Sequence, residues 1–170
     1  LLNKKVTVHN EDALTWLRNN RELFDAVVID FPDPSGFSVG KLYSTVFYQL
    51  LRKAMSPDAV AVVQSTSPYV APKSFWCVDT TLQSAGFLTR PYHNYVPSFG
   101  EWGYIMAFTN TNRNWYAKMP DSLRYLNRET LAQLFVFPED MKAHAKLETN
   151  RLNNQALVNY FEEEWGNYLE

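Results

Sequence analysis

Two carboxylates three residues apart, Asp30 and Asp33, are best suited by type and spacing to do chemistry in this 170-residue chain. They follow the apolar run Ala26–Ile29 in the segment FDAVVIDFPDP, whose two prolines confine the turn that holds them. A pair of carboxylates can hold a cationic substrate and remove a proton from it. From these residues alone, a second interpretation stays equally open: Asp30 caps a turn and Asp33 simply precedes a proline.

The elements around this pair must bring it to a ligand site. A continuous apolar, β-branched run predicts that Phe24–Asp30 is a strand buried on both faces. A turn at Ser56-Pro57-Asp58 leads into a second predicted strand, Ala59–Gln64. In open α/β sheets, ligands bind beyond the carboxyl ends of the strands. Asp30, Asp33 and Gln64 are therefore expected at one edge of the sheet.

Hydrophobic periodicity and capping residues predict the remaining elements. The other predicted strands are Lys5–His9, Phe87–Val96 and Tyr104–Thr109, the last two joined by the loop Pro97–Gly103. The predicted helices are Asn10–Asn19 capped by Asn10, Lys41–Ala54, Pro72–Gly86, Arg128–Phe135 capped by Asn127, and Asn150–Leu169. This order predicts an α/β fold with a mostly parallel sheet and a final antiparallel strand.

Composition excludes several classes of function. The net charge is −2 without a basic cluster, which disfavours nucleic-acid binding. The single cysteine, Cys77, allows no internal disulfide, and three separated histidines give no metal-ligand pattern. No apolar run approaches the ~20 residues that span a bilayer, so we expect no membrane contact from this segment and a cytoplasmic location. Scattered tryptophans favour core or interface packing over stacking on bases; they are Trp16, Trp76, Trp102, Trp115 and Trp165.

Three segments in order resemble the polyamine aminopropyltransferases, the spermidine synthase family. They are FDAVVIDFPDP, LYSTVFYQLL (Leu42–Leu51) and AVAVVQSTSP (Ala59–Pro68), which match a strand ending in D-x-x-D-P, an aromatic-rich helix and a strand ending in Gln. The segment Asn94–Phe108 is similar to the family's I-P-(T/S)-(Y/F) region, so the resemblance covers roughly residues 6–110. The carboxyl-terminal part resembles a bacterial subgroup with a longer extension.

The resemblance implies a class I methyltransferase-like, Rossmann-like fold. The amino-terminal strands and glycine-rich loop of that fold are missing here, because none of the six glycines forms such a cluster. We therefore expect a partial catalytic domain at 1–110 and a helical carboxyl extension at 111–170. The chain is expected to be a fragment that is inactive in isolation, and its parent protein can carry a membrane region before residue 1.

The resemblance also implies a reaction and residues for it. Decarboxylated S-adenosylmethionine, as co-substrate and with no prosthetic group, would give an aminopropyl group to a diamine such as putrescine. Matched residue by residue, Asp30 would be the proton acceptor and Asp33 would bind an ammonium group. Further implied substrate contacts are Gln64, Phe99 and Tyr43, and implied nucleoside contacts are Asp12 and Ala13. Phe99 stands where many members carry a tyrosine, so only an aromatic wall remains there.

Two other interpretations stay open. The chain could be a non-catalytic relative, or a truncated piece that acts only in self-association as a homo-oligomer. A methyltransferase is a weaker alternative, because the same fold serves that activity. Asp12 also has a structural interpretation, as an acid in the first turn of a helix.

Overall fold

The computed structural model describes residues 3–110, 119–120, 122–143 and 146–169, and a four-stranded sheet forms its centre. The strands are β1 (Phe24–Ile29), β2 (Met55–Gln64), β3 (Leu88–Val96) and β4 (Gly100–Phe108). They lie in the order β1-β2-β4-β3. β1 pairs with β2 in parallel, and β4 pairs antiparallel with both β2 and β3. Three strands thus run in one direction, with β4 reversed between β2 and β3, so the sheet is mixed and its final strand is antiparallel as predicted.

Helices cover one face of this sheet. They are α1 (Ala13–Asn19), α2 (Phe37–Gly40), α3 (Thr45–Lys53), α4 (Pro72–Ser84), α5 (Arg128–Gln133) and α6 (Ala156–Leu169), with 3₁₀ helices at Lys41–Tyr43 and Glu139–Met141. α3 and α4 pack against the sheet, and α6 packs on α4. The largest fully buried side chains of this core are Tyr48, Phe75, Leu82, Ile105 and Leu157. Cys77 is also buried there, as its position in an amphipathic helix predicts.

Local chemistry explains where several helices begin. Ser44 caps α3, and its hydroxyl accepts a hydrogen bond from the Phe47 amide at 3.3 Å. α4 begins with Pro72, where a missing N–H costs little, and the chain turns away beyond it at Gly86, whose φ is +90°. Asn127 caps α5 in a capping box, which confirms the predicted cap.

The predicted strand Lys5–His9 is wrong. This segment has no regular secondary structure, and Val6 and Val8 are about half exposed. None of the described strands pairs with it, and an extended segment without a partner gains no ladder hydrogen bonds.

Several boundaries also differ from their predictions. α1 begins at Ala13, because Asp12 and not Asn10 supplies the cap. The predicted helix Lys41–Ala54 is divided by Ser44, with a 3₁₀ turn before it and α3 after it. The predicted helix at 150–169 starts only at Ala156, because the buried Asn150 side chain bonds the Gly40 carbonyl and the Leu157 amide at 3.0 and 3.2 Å.

The strands begin earlier than predicted on both sides of the site. The expected turn at 56–58 lies inside β2, where Phe24 is opposite Met55 but Ala26 is opposite Val60, so the extra residues form a bulge. β4 begins at Gly100, with φ +79°, rather than at Tyr104. The β3–β4 connection is therefore a tight hairpin of three residues, 97–99.

The expectation that β1 is buried on both faces is wrong. Ile29 is buried against the helices, but Val28, on the opposite face, is 80% exposed. β1 is an edge strand, and within the described residues no helix covers that second face. No helix in the described part of the chain is both long and apolar enough to cross a bilayer.

Candidate active site

Asp30 and Gln64 lie side by side at the carboxyl ends of β1 and β2. The register places Ile29 opposite Val63, so the next residues on the two strands are neighbours. The hydrogen-bond partners orient the Gln64 amide: its NH₂ group donates to Asp30 Oδ1, and its carbonyl accepts from Trp102 Nε1 at 2.7 Å. A chain of hydrogen bonds therefore ties Asp30 to an aromatic residue of β4.

The loop after β1 is held by Tyr43. The Tyr43 hydroxyl donates to the carbonyls of Phe31 and Pro32, each at 3.2 Å. The Phe31 ring packs edge-on against the rings of Tyr43 and Phe47. Burial, together with the charges of Asp33 and Asp30, raises the pKa of Tyr43 well above its usual value. Tyr43 is buried and lines neither of the cavities described next, so its contacts are those of a residue that positions the acidic loop.

Two open cavities meet at Asp30, Gln64, Phe99 and Trp102, which line both of them. The first, of about 600 Å³, has otherwise apolar and aromatic walls: Val28, Ile29, Val62, Tyr92, Val96 and Tyr104. The second, of about 560 Å³, adds a second acid and a residue of α6: Phe31, Pro32, Asp33, Ser98 and Trp165. The acids and Gln64 predicted from strand ends are thus brought together with Phe99.

The β3–β4 hairpin supplies the aromatic wall opposite the acids. Phe99 lies at the tip of this hairpin and is 67% exposed, and its ring centroid lies 5.4 Å from that of Trp102. Tyr92 stacks on Tyr104 with ring centroids 5.2 Å apart. Burial and the charge of Asp30 raise the pKa of Tyr104, which keeps its phenol neutral near that carboxylate. The wall therefore offers apolar surface and neutral polar groups.

The two acids of the site, Asp30 and Asp33, have no cationic partner among the described ion pairs. Burial raises the pKa of Asp33, so its negative charge is partly desolvated. Carboxylates in such a setting favour a cationic ligand, and aromatic faces attract cations as well. The arrangement can hold an ammonium group and accept a proton from it.

Asp12 and Ala13 line neither cavity. Asp12 caps α1 by accepting the Thr15 amide at 2.9 Å, and its other oxygen accepts from Lys41 Nζ at 2.7 Å. The Lys41 hydrogen bond, followed by that from Thr15, lowers the pKa of Asp12 to about 2. Ala13 is the first residue of α1. These contacts support the structural interpretation of Asp12.

Sequence reasoning missed Trp102 and Trp165 as cavity residues, because it assigned the tryptophans to packing. Trp102 does pack, being 7% exposed, yet it also lines both cavities and bonds Gln64. The spacing of Trp102 and Tyr104, two residues apart on one strand, places both on one face and could have revealed the wall. No local signal links Trp165 to it. Among the described residues, no group of three or more His, Cys, Asp or Glu is arranged to hold a metal ion.

Comparison with known proteins identifies the family of this chain. Residues 1–118 match the family described as the spermine/spermidine synthase domain. A polyamine aminopropyltransferase of Leptospira interrogans is 47% identical over the whole chain, which covers 34% of that protein. Polyamine aminopropyltransferase 2 of Ralstonia nicotianae is 49% identical over 97% of the chain, which covers 32% of it. The chain thus spans about a third of the length of these curated relatives.

Solved structures support the fold. A spermidine synthase crystallised with the transition-state analogue AdoDATO is similar with a TM-score of 0.59 at 19% identity, over 97% of this chain and 52% of that one. Spermidine synthase from Thermotoga maritima gives a TM-score of 0.51 at 19% identity, over 91% of this chain and 47% of that one. This likeness confirms the methyltransferase-like fold, and the sequence matches show that the chain belongs to the spermine/spermidine synthase domain family.

Proposed function

We propose that the natural gene product containing this chain transfers an aminopropyl group from decarboxylated S-adenosylmethionine to a diamine such as putrescine. Spermidine and methylthioadenosine would be the products. The observation that carries this proposal is the pair Asp30 and Asp33, without a described cationic partner, facing aromatic walls at the carboxyl end of β1. Membership in the family supports the same reaction class.

The chemistry explains why carboxylates belong at this site. A primary amine attacks the methylene beside the sulfonium, so a carbon–nitrogen bond forms and the carbon–sulfur bond breaks. The electron pair of the broken bond stays on sulfur, which becomes a neutral thioether, and the nitrogen must lose a proton. Because such amines have a pKa of ~10, they arrive protonated at neutral pH and need an acceptor close by.

Each residue then has a distinct part in the proposal. Asp30, at the junction of the two cavities, accepts the proton, and the Gln64 amide fixes the orientation of its carboxylate. Asp33 binds an ammonium group, and Phe99 covers the substrate with an apolar ring. Tyr43 acts on the substrate through the loop that it holds. The alternative role of Asp12 and Ala13, a nucleoside contact, would compete with the hydrogen bond by which Lys41 already engages the Asp12 carboxylate.

A product assay on the natural gene product tests the reaction class. Incubation with putrescine and decarboxylated S-adenosylmethionine is expected to release methylthioadenosine and spermidine in equal amounts. A parallel incubation with S-adenosylmethionine measures release of S-adenosylhomocysteine, the product of methyl transfer. Methyl transfer without aminopropyl transfer would overturn the proposal in favour of a methyltransferase. The absence of both reactions would favour a non-catalytic relative.

The free edge of β1 leads to a separate proposal, self-association of this chain. Within the described residues, β1 pairs only with β2, and its other edge carries the exposed residues Asp25, Ala26 and Val28 without Lys or Pro. Unprotected edges of this kind are templates for pairing with another strand. We expect sedimentation equilibrium of this chain to show a dimer that Ala26→Lys disrupts, since an exposed lysine on an edge strand opposes pairing with another strand. A monomer at all concentrations would contradict this proposal.

A further inference from the structure

Trp165 lies on α6, far along the chain from the acids, yet it lines the same cavity as Asp30 and Asp33. It falls outside residues 1–118, to which the family match extends. Asp30 borders both cavities, whereas Asp33 and Trp165 border only the second. Trp165 therefore shares with Asp33 a cavity wall that the first cavity lacks.

The residue before Trp165 fixes the position of α6. α4 has no side-chain cap of its own, and the Glu164 carboxylate takes that place. It accepts hydrogen bonds from the Lys73 and Ser74 amides at 2.7 and 2.9 Å and from the Ser74 hydroxyl at 2.7 Å. A carboxylate at a helix N-terminus is also favoured by the helix dipole. Because Glu164 and Trp165 are adjacent on α6, these hydrogen bonds help to hold Trp165 in its position beside the sheet.

The indole of Trp165 is itself held by its neighbours. Its Nε1 donates to Thr66 Oγ1 at 3.3 Å, so the polar edge of the ring is already bonded. Its ring centroid lies 6.4 Å from that of Trp102 and 5.9 Å from that of Phe161. Because the N–H is occupied, the ring has only its carbon surface to offer to a molecule in the cavity.

The carbon surface of an indole that shares a cavity with a carboxylate suits one chemical group in particular. An ammonium ion is attracted by the aromatic quadrupole and by the negative charge of the acid at the same time. A neutral group lacks both of these electrostatic attractions, and an anionic group is repelled by the acid. We propose that Trp165 is a specificity-determining residue for the acceptor amine. It covers the distal ammonium group, the one held by Asp33, and so selects acceptors with two amino groups over those with one. This inference rests on the proposed function.

Removing the distal amino group of the ligand and the aromatic ring of Trp165, separately and together, tests this assignment. We would compare wild type, Trp165→Leu and Trp165→Phe in the natural gene product, with Trp16→Leu as a matched control. Trp16 lies on α1 against His9 and Phe24 and lines neither cavity. The acceptor is 1,4-diaminobutane, and n-butylamine, which lacks the distal ammonium group, is measured as its competitor.

Trp165→Leu is expected to raise the KM for 1,4-diaminobutane about 3- to 30-fold, the range of a cation–π contact. In the same variant, the inhibition constant of n-butylamine should change by less than about twofold. Trp165→Phe, which keeps an aromatic face, should recover much of the loss, and Trp16→Leu should leave both constants unchanged. If Trp165→Leu does not fold, Trp165→Met takes its place.

Equal losses for the diamine and the monoamine, or no loss for either, would overturn the assignment and leave Trp165 as a packing residue. Calorimetric titration of 1,4-diaminobutane into the same variants separates this failure from that of the proposed function. If the wild-type protein releases no methylthioadenosine, the proposed function fails, but a weaker diamine affinity confined to the Trp165 variants still supports this inference. Unchanged affinity overturns it.

Discussion

Asp12 and the pair formed by Asp30 and Asp33 are acids at the ends of secondary-structure elements, but their surroundings differ. Asp12 accepts hydrogen bonds from Lys41 and from the first turn of α1, and its pKa is lowered to about 2. Asp30 and Asp33 take part in none of the described ion pairs, and burial raises the pKa of Asp33. An acid neutralised within the fold stabilises the fold, whereas acids left without a cation beside an aromatic cavity are available to a cationic ligand.

The largest effect should come from removing the charge of Asp30. Asp30→Asn is nearly isosteric, and its carbonyl can still accept from the Gln64 amide, so the fold should persist. Loss of the proton acceptor is expected to lower kcat by ~10²–10⁴-fold. Methylthioadenosine release by the natural gene product measures the change, with thermal unfolding as the check on structure.

Asp25→Asn is a matched control for this experiment. Asp25 lies on the same strand, is bonded to the Ser56 hydroxyl and lines neither cavity. It should keep wild-type kcat. Activity of Asp30→Asn within a few-fold of wild type would show that Asp30 is not the base. The proposed difference in role between Asp30 and Asp12 would then have no support.

Asp33→Asn should have a smaller effect, confined to binding. A charge-assisted contact with an ammonium group contributes ~1.5–3 kcal/mol, so we expect the KM for the diamine to rise roughly 10- to 100-fold while kcat changes little. A fall in kcat that matches that of Asp30→Asn, with unchanged KM, would show that the two acids do not divide the work in this way.

The raised pKa of Asp33 also predicts a direction for pH. Because its charged form is disfavoured in the folded chain, Asp33 lowers stability once the pH exceeds its unfolded pKa, and that cost is absent below it. Asp33→Asn should therefore raise the unfolding midpoint slightly at neutral pH and not at pH 3, by no more than the ~0.5 kcal/mol typical of solvent-exposed sites. A lower midpoint at neutral pH would contradict this sign. In the wild type, protonation of Asp33 should weaken diamine binding on acidification. Because the pKa of Asp33 is raised, this loss should begin at a higher pH than for an aspartate with the usual pKa.

The outcome of the sequence analysis follows the range of the interactions involved. β1, its terminal acids and the end of β2 could be predicted because an apolar run and its neighbours decide them locally. Lys5–His9 could not, because a strand requires a partner that no local pattern supplies. Trp165 reaches the cavity from α6, which packs on α4 and whose Glu164 caps that helix, and such long-range contacts leave no mark in the spacing of residues.

Asp12→Asn should give the smallest effect and the opposite pattern, a loss of stability without a loss of diamine binding. The variant removes the charge that pairs with Lys41 but keeps an oxygen that can still cap α1, whereas Asp12→Ala removes both. We expect Asp12→Ala to cost about 1 kcal/mol, as for other N-caps, and Asp12→Asn to cost less. Denaturant unfolding measures both costs. Since the folded pKa of about 2 lies below the usual value of 3.8, the contribution of the charge is complete above about pH 4 and is lost as the pH falls through 2. The difference between wild type and Asp12→Asn should therefore shrink on acidification over that interval. A KM for decarboxylated S-adenosylmethionine that rises in Asp12→Asn, with unfolding unchanged, would instead assign Asp12 to the nucleoside and place it with the ligand-binding acids.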